Sequence, residues 1–346
     1  MLWAVLFAAY AATLWVDAAP GAQYGPGERR VLGAAAAAAE GAALDRGPVG
    51  VGFPLALAPL SALGGDRLVV LGLAAVAALA FVLGRGLAQR VVPDPWAGWA
   101  ALAVGLSPPA LEWATAAAPW LCAGALLAGA SACALAVRVR PRARTAFGGA
   151  LALALLPWLD PWLLVAVAPV AFFLARWSAR RGRTLLALGT LELQLASLVF
   201  YVSLNDRLYG RLFAPSPSEL TDVVARLPRL ASVWLELRWA PVLALAVLGV
   251  WLLWRSRRAR LARLVPERGE AEHTAFLMLC VCAGLVAVAV FAAPTRGAAV
   301  GWLAAGLPCA VAPVAWGFRR VPRIGGALAA LTVAASAWHV ASGAWT

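Results

Sequence analysis

The sequence predicts an all-α polytopic membrane protein with about 10–11 transmembrane helices and a long first extracytoplasmic loop that carries a short surface helix. Three observations lead to this fold class. The 346-residue chain is 63% hydrophobic and only 13% charged, whereas soluble domains are about 45–50% apolar and roughly 25% charged. Apolar stretches close to the bilayer-spanning length of about 20 residues recur along the whole chain. Basic runs lie in alternate gaps between these stretches, as the positive-inside rule requires.

The spans follow from the apolar stretches, taken in order. They are 2–16, 68–86, 96–107, 119–137, 146–158, 161–176, 184–204, 240–254, 275–293, 298–317 and 325–342. With the N-terminus in the cytoplasm, the basic runs RVRPRAR (138–144), RWSARRGR (176–183) and RSRRARLAR (255–263) all lie on the cytoplasmic side. The net charge of +13 is therefore explained by topology and by contact with anionic membrane lipids, and not by nucleic acid. We expect a multi-pass protein of the plasma (inner) membrane.

Residues 1–346 are interpreted as one transmembrane domain with three long connections. The first outer loop covers 17–66, the second outer loop covers 205–239, and a basic cytoplasmic loop covers 255–273. Long loops are uncommon in compact domains and often carry function. The two outer loops are therefore the candidate functional segments, whereas the cytoplasmic loop is interpreted as a solvated basic anchor.

The first outer loop contains the stretch YGPGERRVLGAAAAAAEG (24–41), which predicts a short helix from Glu28 to Glu40. Glu28 complements the helix dipole in the first turn, and alanine has the highest helix propensity. This helix of about 20 Å is too short and too charged to span, so we expect it along the outer membrane surface. The next segment, 50–67, is an apolar run interrupted by Pro54 and Pro59, which predicts a re-entrant or interfacial piece.

Motifs of soluble enzymes are not found in the sequence. The five cysteines fall within apolar spans, and no CxxC pair or Cys/His ligand spacing occurs. They are therefore interpreted as small apolar residues rather than as a disulfide framework or a zinc site.

Other short motifs follow in a recognisable order. The chain has SPP (107–109) after the third span, LPWLDP (156–161) between the fifth and sixth, LNDRLYG (204–210) after the seventh, and Trp302 through Pro308 in the tenth. Together with the first outer loop, this order resembles the C-type integral-membrane glycosyltransferases that use polyprenyl-phosphate sugars. The similarity covers most of residues 1–320 and is greatest to an alanine-rich, actinobacterial-like subset of that superfamily.

The resemblance implies that a sugar passes from a lipid-linked donor to an extracytoplasmic acceptor. It implies that acids of the first outer loop act as a general base or bind a metal, which makes Glu28 and Asp17 the catalytic candidates. It also implies that the lipid phosphate is held by polar and basic residues of the outer loops. These are Arg29, Arg30, Asn205, Arg207, Tyr209, Arg211 and Arg296. A divalent metal and the oligomeric state are left open.

Elementary chemistry agrees with this reading. A polyprenyl tail needs apolar surface between helices, and the planar fork of arginine suits bidentate contact with phosphate. An acceptor hydroxyl needs a base within hydrogen-bond reach.

The chain departs from the family pattern at several charged positions. One acid, Glu28, stands where a pair is expected. Trp120 follows Pro119 where relatives carry a second acid, Gly301 stands seven residues before Pro308 where they often carry arginine, and Asp160 replaces a common histidine. A catalytically inactive relative that binds a lipid-linked substrate is therefore an alternative to an active transferase.

Glu192 supports a third class of protein. It lies mid-span in TLLALGTLELQLASLVFYV (184–202), two residues before Gln194. An ionisable group within a membrane is costly and is a functional candidate by default. A proton-coupled transporter or flippase would use such a residue, although a neutral Glu192 hydrogen-bonded to Thr190 or to a neighbouring helix fits equally.

Overall fold

The computed structural model describes residues 1–16, 26–42, 50–180, 183–210, 240–257, 266–291 and 296–342. Within these ranges the chain is helical and contains no strand. The helices are α1 Leu2–Val16, α2 Pro26–Ala39, α3 Gly52–Gln89, α4 Trp96–Gly105, α5 Pro108–Ala114, α6 Trp120–Val139, α7 Ala143–Leu159, α8 Leu164–Arg180, α9 Thr184–Tyr209, α10 Ala240–Arg257, α11 Pro266–Phe291, α12 Arg296–Ala304, α13 Leu307–Arg320 and α14 Pro322–Ser342. A 3₁₀ turn, Pro161–Leu163, joins α7 to α8.

The all-α membrane fold class is confirmed. Within the described ranges, five helical stretches are long and apolar enough to cross a bilayer: Gly52–Gln89, Trp120–Val139, Pro161–Arg180, Thr184–Leu208 and Glu272–Val290. Three shorter apolar helices, Leu2–Leu14, Trp96–Gly105 and Ala143–Leu159, accompany them. Each predicted span except the tenth coincides with one of the helices described above.

The prediction of one continuous tenth span is wrong, because residues 298–317 form two helices. Helix α12 ends at Ala304 and α13 begins at Leu307. Pro308 lies in the first turn of α13. Proline lacks an N–H and clashes with a preceding helical turn, so it is tolerated at a helix start and breaks a continuous helix.

Helix α3 contains a sharp reversal between the predicted re-entrant or interfacial piece, 50–67, and the second predicted span. Gly64 and Gly65 leave the helical conformation, and Gly65 has φ 62° and ψ −157°, a region that favours glycine. After the turn, the side chain of Leu60 packs directly on Gly72, where an added Cβ would lie 2.6 Å from Leu60 Cδ1. Residues 52–63 therefore form a helical hairpin with the start of the second span.

Helix α13 lies at the centre of the bundle, where it packs on α3, α4, α6 and α10. All of its residues from Leu307 to Phe318 are buried. Small residues of the surrounding helices allow close approach: a Cβ on Gly124 would lie 2.7 Å from the carbonyl oxygen of Ala305. Such contacts are typical of helix packing in membranes.

Contacts between distant segments join connections that the sequence assigns to the same side of the membrane. Gly50 N, in the first outer loop, donates to Leu159 O at 2.8 Å, and Leu159 is at the outer end of the fifth predicted span. Ser336 Oγ, near the outer end of the last span, donates to Leu106 O at 2.5 Å. The alternation of spans is thus internally consistent, while a cytoplasmic N-terminus stays a prediction.

Candidate active site

Glu28 lies in the first turn of α2, the short helix of the first outer loop. Its Oε1 accepts a hydrogen bond from the backbone N–H of Ala117 at 3.1 Å. Ala117 is buried in the connection between α5 and α6. The acid is therefore fixed against a second segment that the sequence also places on the outer side.

Helix α2 presents its two faces to different surroundings. Val31, Leu32 and Ala35 are buried, and the helix packs on α3. Arg29 and Arg30 are exposed at the start of the same helix. This amphipathic arrangement is the one expected of a helix on the membrane surface, with the arginines beside Glu28.

Three tryptophans form a cluster around the segment that holds Glu28. The rings of Trp120 and Trp302 meet edge to face with centroids 4.1 Å apart, and those of Trp113 and Trp120 do so at 6.3 Å. Trp113 and Trp120 flank the connection that contains Ala117. The buried Nε1 of Trp113 has no hydrogen-bond partner among the described residues. Trp120 was expected as a departure from the family pattern, whereas this cluster was not predicted.

The second outer loop is described only at its beginning, on the last turns of α9. Asn205 is buried, and its Nδ2 has no partner within the described part of the chain. Arg207 is exposed. The structure does not place either residue in contact with Glu28: Glu28 contacts Ala117, whereas Asn205 lies one turn beyond Tyr201, whose ring meets Trp158 at 5.6 Å.

The remaining candidate residues fall partly or wholly outside the described residues. Asp17 and Arg211 lie outside them altogether. For Tyr209 and Arg296 only the backbone is described: Tyr209 ends α9, and Arg296 begins α12. Their proposed roles stay predictions.

Asp160 is a buried acid that the candidate residues did not include. It is only 3% exposed, and its Oδ1 accepts a hydrogen bond from Trp162 N at 2.9 Å at the start of the 3₁₀ turn. Burial raises the pKa of Asp160 to about 7, although the Trp162 hydrogen bond acts in the opposite direction. The backbone N–H of Gly50 donates a hydrogen bond to the carbonyl oxygen of Leu159, the residue before Asp160. The end of the first outer loop therefore packs beside this acid. The LPWLDP motif (156–161) was the sequence signal that could have identified this acid as a candidate.

Glu192 lies on the exposed face of α9. This helix is peripheral, since only 17% of its most apolar 18-residue stretch is buried. An acid in a transport pathway faces the bundle interior or a water-filled cavity. The position of Glu192 therefore gives the transporter alternative no support.

A divalent metal would need several ligands close together. Among the described residues, no group of three or more His, Cys, Asp or Glu side chains is arranged to hold a metal ion. Glu28 is the described acid of the candidate site, and Asp17, the other acid proposed for it, lies outside these residues.

No protein-family model and no curated protein matches the sequence. The fold is similar to that of ArnT from Cupriavidus metallidurans, whose crystal structure was determined in the apo state. The TM-score is 0.64 at 15% sequence identity, and the match covers 94% of this chain and 61% of that chain. This chain thus spans about three fifths of the length of ArnT, and the likeness shows a shared fold.

Proposed function

We propose that this chain is a membrane glycosyltransferase that moves a sugar from a polyprenyl-phosphate donor to an extracytoplasmic acceptor. The observation that carries the proposal is the position of Glu28, which is held by Ala117 N on a membrane-surface helix beside the tryptophan cluster. The fold supports it, because ArnT is an undecaprenyl-phosphate-aminoarabinose transferase of the C-type family.

Glu28 acts as the general base in the proposed reaction. It accepts the proton of the acceptor hydroxyl while that oxygen attacks the anomeric carbon of the donor sugar. A new carbon–oxygen bond forms, and the bond from the anomeric carbon to the phosphate oxygen breaks. The lipid phosphate leaves with the bonding electron pair. The hydrogen bond from Ala117 N holds the carboxylate in one position. A general base must be positioned in this way to reach the acceptor hydroxyl.

Arginine side chains bind the donor phosphate in this proposal. Arg29 and Arg30 follow Glu28 directly and are exposed on the same turn of α2. Arg207 is exposed at the end of α9, near the buried Asn205. Arginine offers a rigid fork of donors that matches phosphate oxygens. Tyr209, Arg211 and Arg296 complete the proposed phosphate and sugar contacts, and Asp17 is the proposed second acid.

The proposed reaction determines the membrane in which the protein acts and the face on which its site lies. A polyprenyl-phosphate donor lies in the membrane, so the protein acts in the plasma (inner) membrane with the site on the outer face. The cytoplasmic N-terminus belongs to the same proposal.

One observation favours a second candidate, a relative that binds a lipid-linked substrate without transferring the sugar. Two positions at which the family carries charge, 120 and 301, are a tryptophan and a glycine in contact with each other. The site thus has fewer charged groups than the resemblance predicts, which suits binding better than catalysis.

Sugar transfer by the full-length protein in lipid nanodiscs separates these candidates. The probes are undecaprenyl-phosphate sugars presented with a panel of soluble glycan acceptors. We expect Glu28→Gln to lower the rate by about 10²–10⁴-fold, the usual contribution of a general base. The matched control is Glu40→Gln, at the exposed end of the same helical segment, which should keep the wild-type rate.

Each other result is informative. Full activity in Glu28→Gln would exclude Glu28 as the base. Donor binding by the wild-type protein with no transfer to any acceptor would favour the inactive relative, and no binding of any donor would contradict both candidates.

A further inference from the structure

A groove lies between α4 and α14, away from the Glu28 site. Its volume is about 640 Å³, within the usual range of about 300–1,000 Å³ for ligand sites. Aliphatic and aromatic residues line it throughout, among them Trp99, Leu102, Ala330 and Val333. Its chemistry therefore suits a hydrocarbon chain.

Segments next to α4 and α14 contact each other at both ends of the groove, and the two helices are apart between these contacts. At one end Ser336 Oγ donates to Leu106 O. At the other end Phe318, the last buried residue of α13, packs on Gly325 near the start of α14. The α4 wall from Trp96 to Leu106 is about 15 Å long at 1.5 Å per residue. This is about half of a 30 Å hydrocarbon layer, so the wall matches the length of one acyl chain.

Three arginines follow groove-lining residues in the chain at the Phe318 end of the groove. Arg319 and Arg320 follow Phe318 directly, and Arg323 follows Pro322, which also lines the groove. All three are exposed, and no ion pair of theirs is found among the described residues. The guanidinium of Arg320 lies over the ring of Trp316 at 4.9 Å. The groove therefore ends at a cluster of positive charge.

An apolar gap between membrane helices does not fill with water, because its walls offer no hydrogen-bond partners. Basic clusters beside such gaps attract anionic lipid head groups. We propose that the groove binds an anionic phospholipid, with one acyl chain between α4 and α14 and the phosphate at Arg319, Arg320 and Arg323. This site is independent of the proposed transfer reaction. Its arginine end lies at the opposite end of α4 from the α5–α6 connection that contacts Glu28, which distinguishes the head-group position from the proposed donor site.

Native mass spectrometry of the full-length protein tests the proposal. The probes are phosphatidylglycerol and phosphatidylcholine with identical acyl chains. We expect the wild-type protein to retain phosphatidylglycerol at least tenfold better than phosphatidylcholine. Ala330→Trp fills the groove and should abolish this retention. The matched control is Ala327→Trp, at an exposed position of α14 that does not line the groove, and it should bind as the wild type does.

A second variant separates the head group from the chain. Replacing Arg319, Arg320 and Arg323 together by Gln should lower phosphatidylglycerol retention to the phosphatidylcholine level, with unchanged melting temperature. Equal retention of the two lipids by the wild type would overturn the proposal, as would wild-type retention in Ala330→Trp. Displacement of phosphatidylglycerol by undecaprenyl phosphate would assign the groove to the sugar donor instead. A protein dimer that Ala330→Trp dissociates without change in bound lipid would assign it to a second copy.

Discussion

The indole of Trp120 occupies the space that a side chain on residue 301 would need. A Cβ added to Gly301 would collide with Nε1 and Cε2 of Trp120 and would lie 2.7 Å from its Cδ1. The resemblance predicts an acid at the first position and often an arginine at the second. The two positions touch, so an aromatic ring against a glycine stands where the resemblance predicts oppositely charged neighbours. Such exchanges of buried ion pairs for packed apolar groups are often neutral or stabilising.

We therefore expect the two positions to be strongly coupled in stability. Gly301→Arg alone should destabilise the protein by about 1–3 kcal/mol, as overpacking does, and Trp120→Glu alone should leave a buried charge unpaired. The double variant should be more stable than the sum of the single changes predicts, by about 0.5–3 kcal/mol. Thermal unfolding in detergent measures each variant.

The control for this cycle is Gly148→Ala on α7. An added Cβ there meets nothing within 4 Å, so the change should be neutral or slightly stabilising through helix propensity. Additive effects of Trp120→Glu and Gly301→Arg would contradict the coupling.

The sequence predicted the helical spans well because apolar length is set by bilayer thickness and is visible locally. It also predicted the α2 helix, since alanine propensity and Glu28 act within one helical segment. The break before Pro308 was not predicted because the sequence is apolar on both sides of it from 298 to 317. Contacts such as Glu28 with Ala117 join residues 89 apart along the chain, and no local pattern specifies them. The cluster of Trp113, Trp120 and Trp302 was likewise not predicted, since ring contacts across helices depend on packing.

Asp160 should make stability depend on pH. Its pKa is raised to about 7 in the folded protein by burial, above the value of about 3.9 for an exposed aspartate. The folded state therefore favours the protonated form, and the stabilisation that it gives is lost as the pH rises through 7. We expect the wild type to be more stable at pH 5 than at pH 8 by a few kcal/mol, at about 1.4 kcal/mol per pKa unit.

Asp160→Asn isolates this effect, because the amide oxygen can still accept the hydrogen bond from Trp162 N. The variant should have the same stability at pH 5 and pH 8, and it should be more stable than the wild type at pH 8. Melting temperatures measured in parallel at both pH values test this. An unchanged pH dependence in Asp160→Asn would show that other groups are responsible.

The hairpin in α3 should depend on Gly65. Its φ of 62° with ψ of −157° is accessible essentially to glycine alone, and other residues there cost about 1–3 kcal/mol. Gly65→Ala should therefore lower the melting temperature. Gly86→Ala, in the regular part of the same helix with nothing within 4 Å of the added Cβ, should not. Equal melting temperatures for the two variants would contradict the turn geometry.

The orientation of the bundle can be tested from positions on α2 and α7. Ala39 is exposed at the end of α2, and Ala143 is exposed at the start of α7, between predicted spans on opposite sides of the membrane. The five native cysteines are buried or partly buried, so a version in which all five are replaced by Ala or Ser provides a clean background. With a cytoplasmic N-terminus, Ala39→Cys should react with a membrane-impermeant maleimide added to intact cells. Ala143→Cys should react only after the membrane is permeabilised. The reverse pattern would place Glu28 in the cytoplasm and contradict the proposed outer site, since the acceptor would then have to be cytoplasmic.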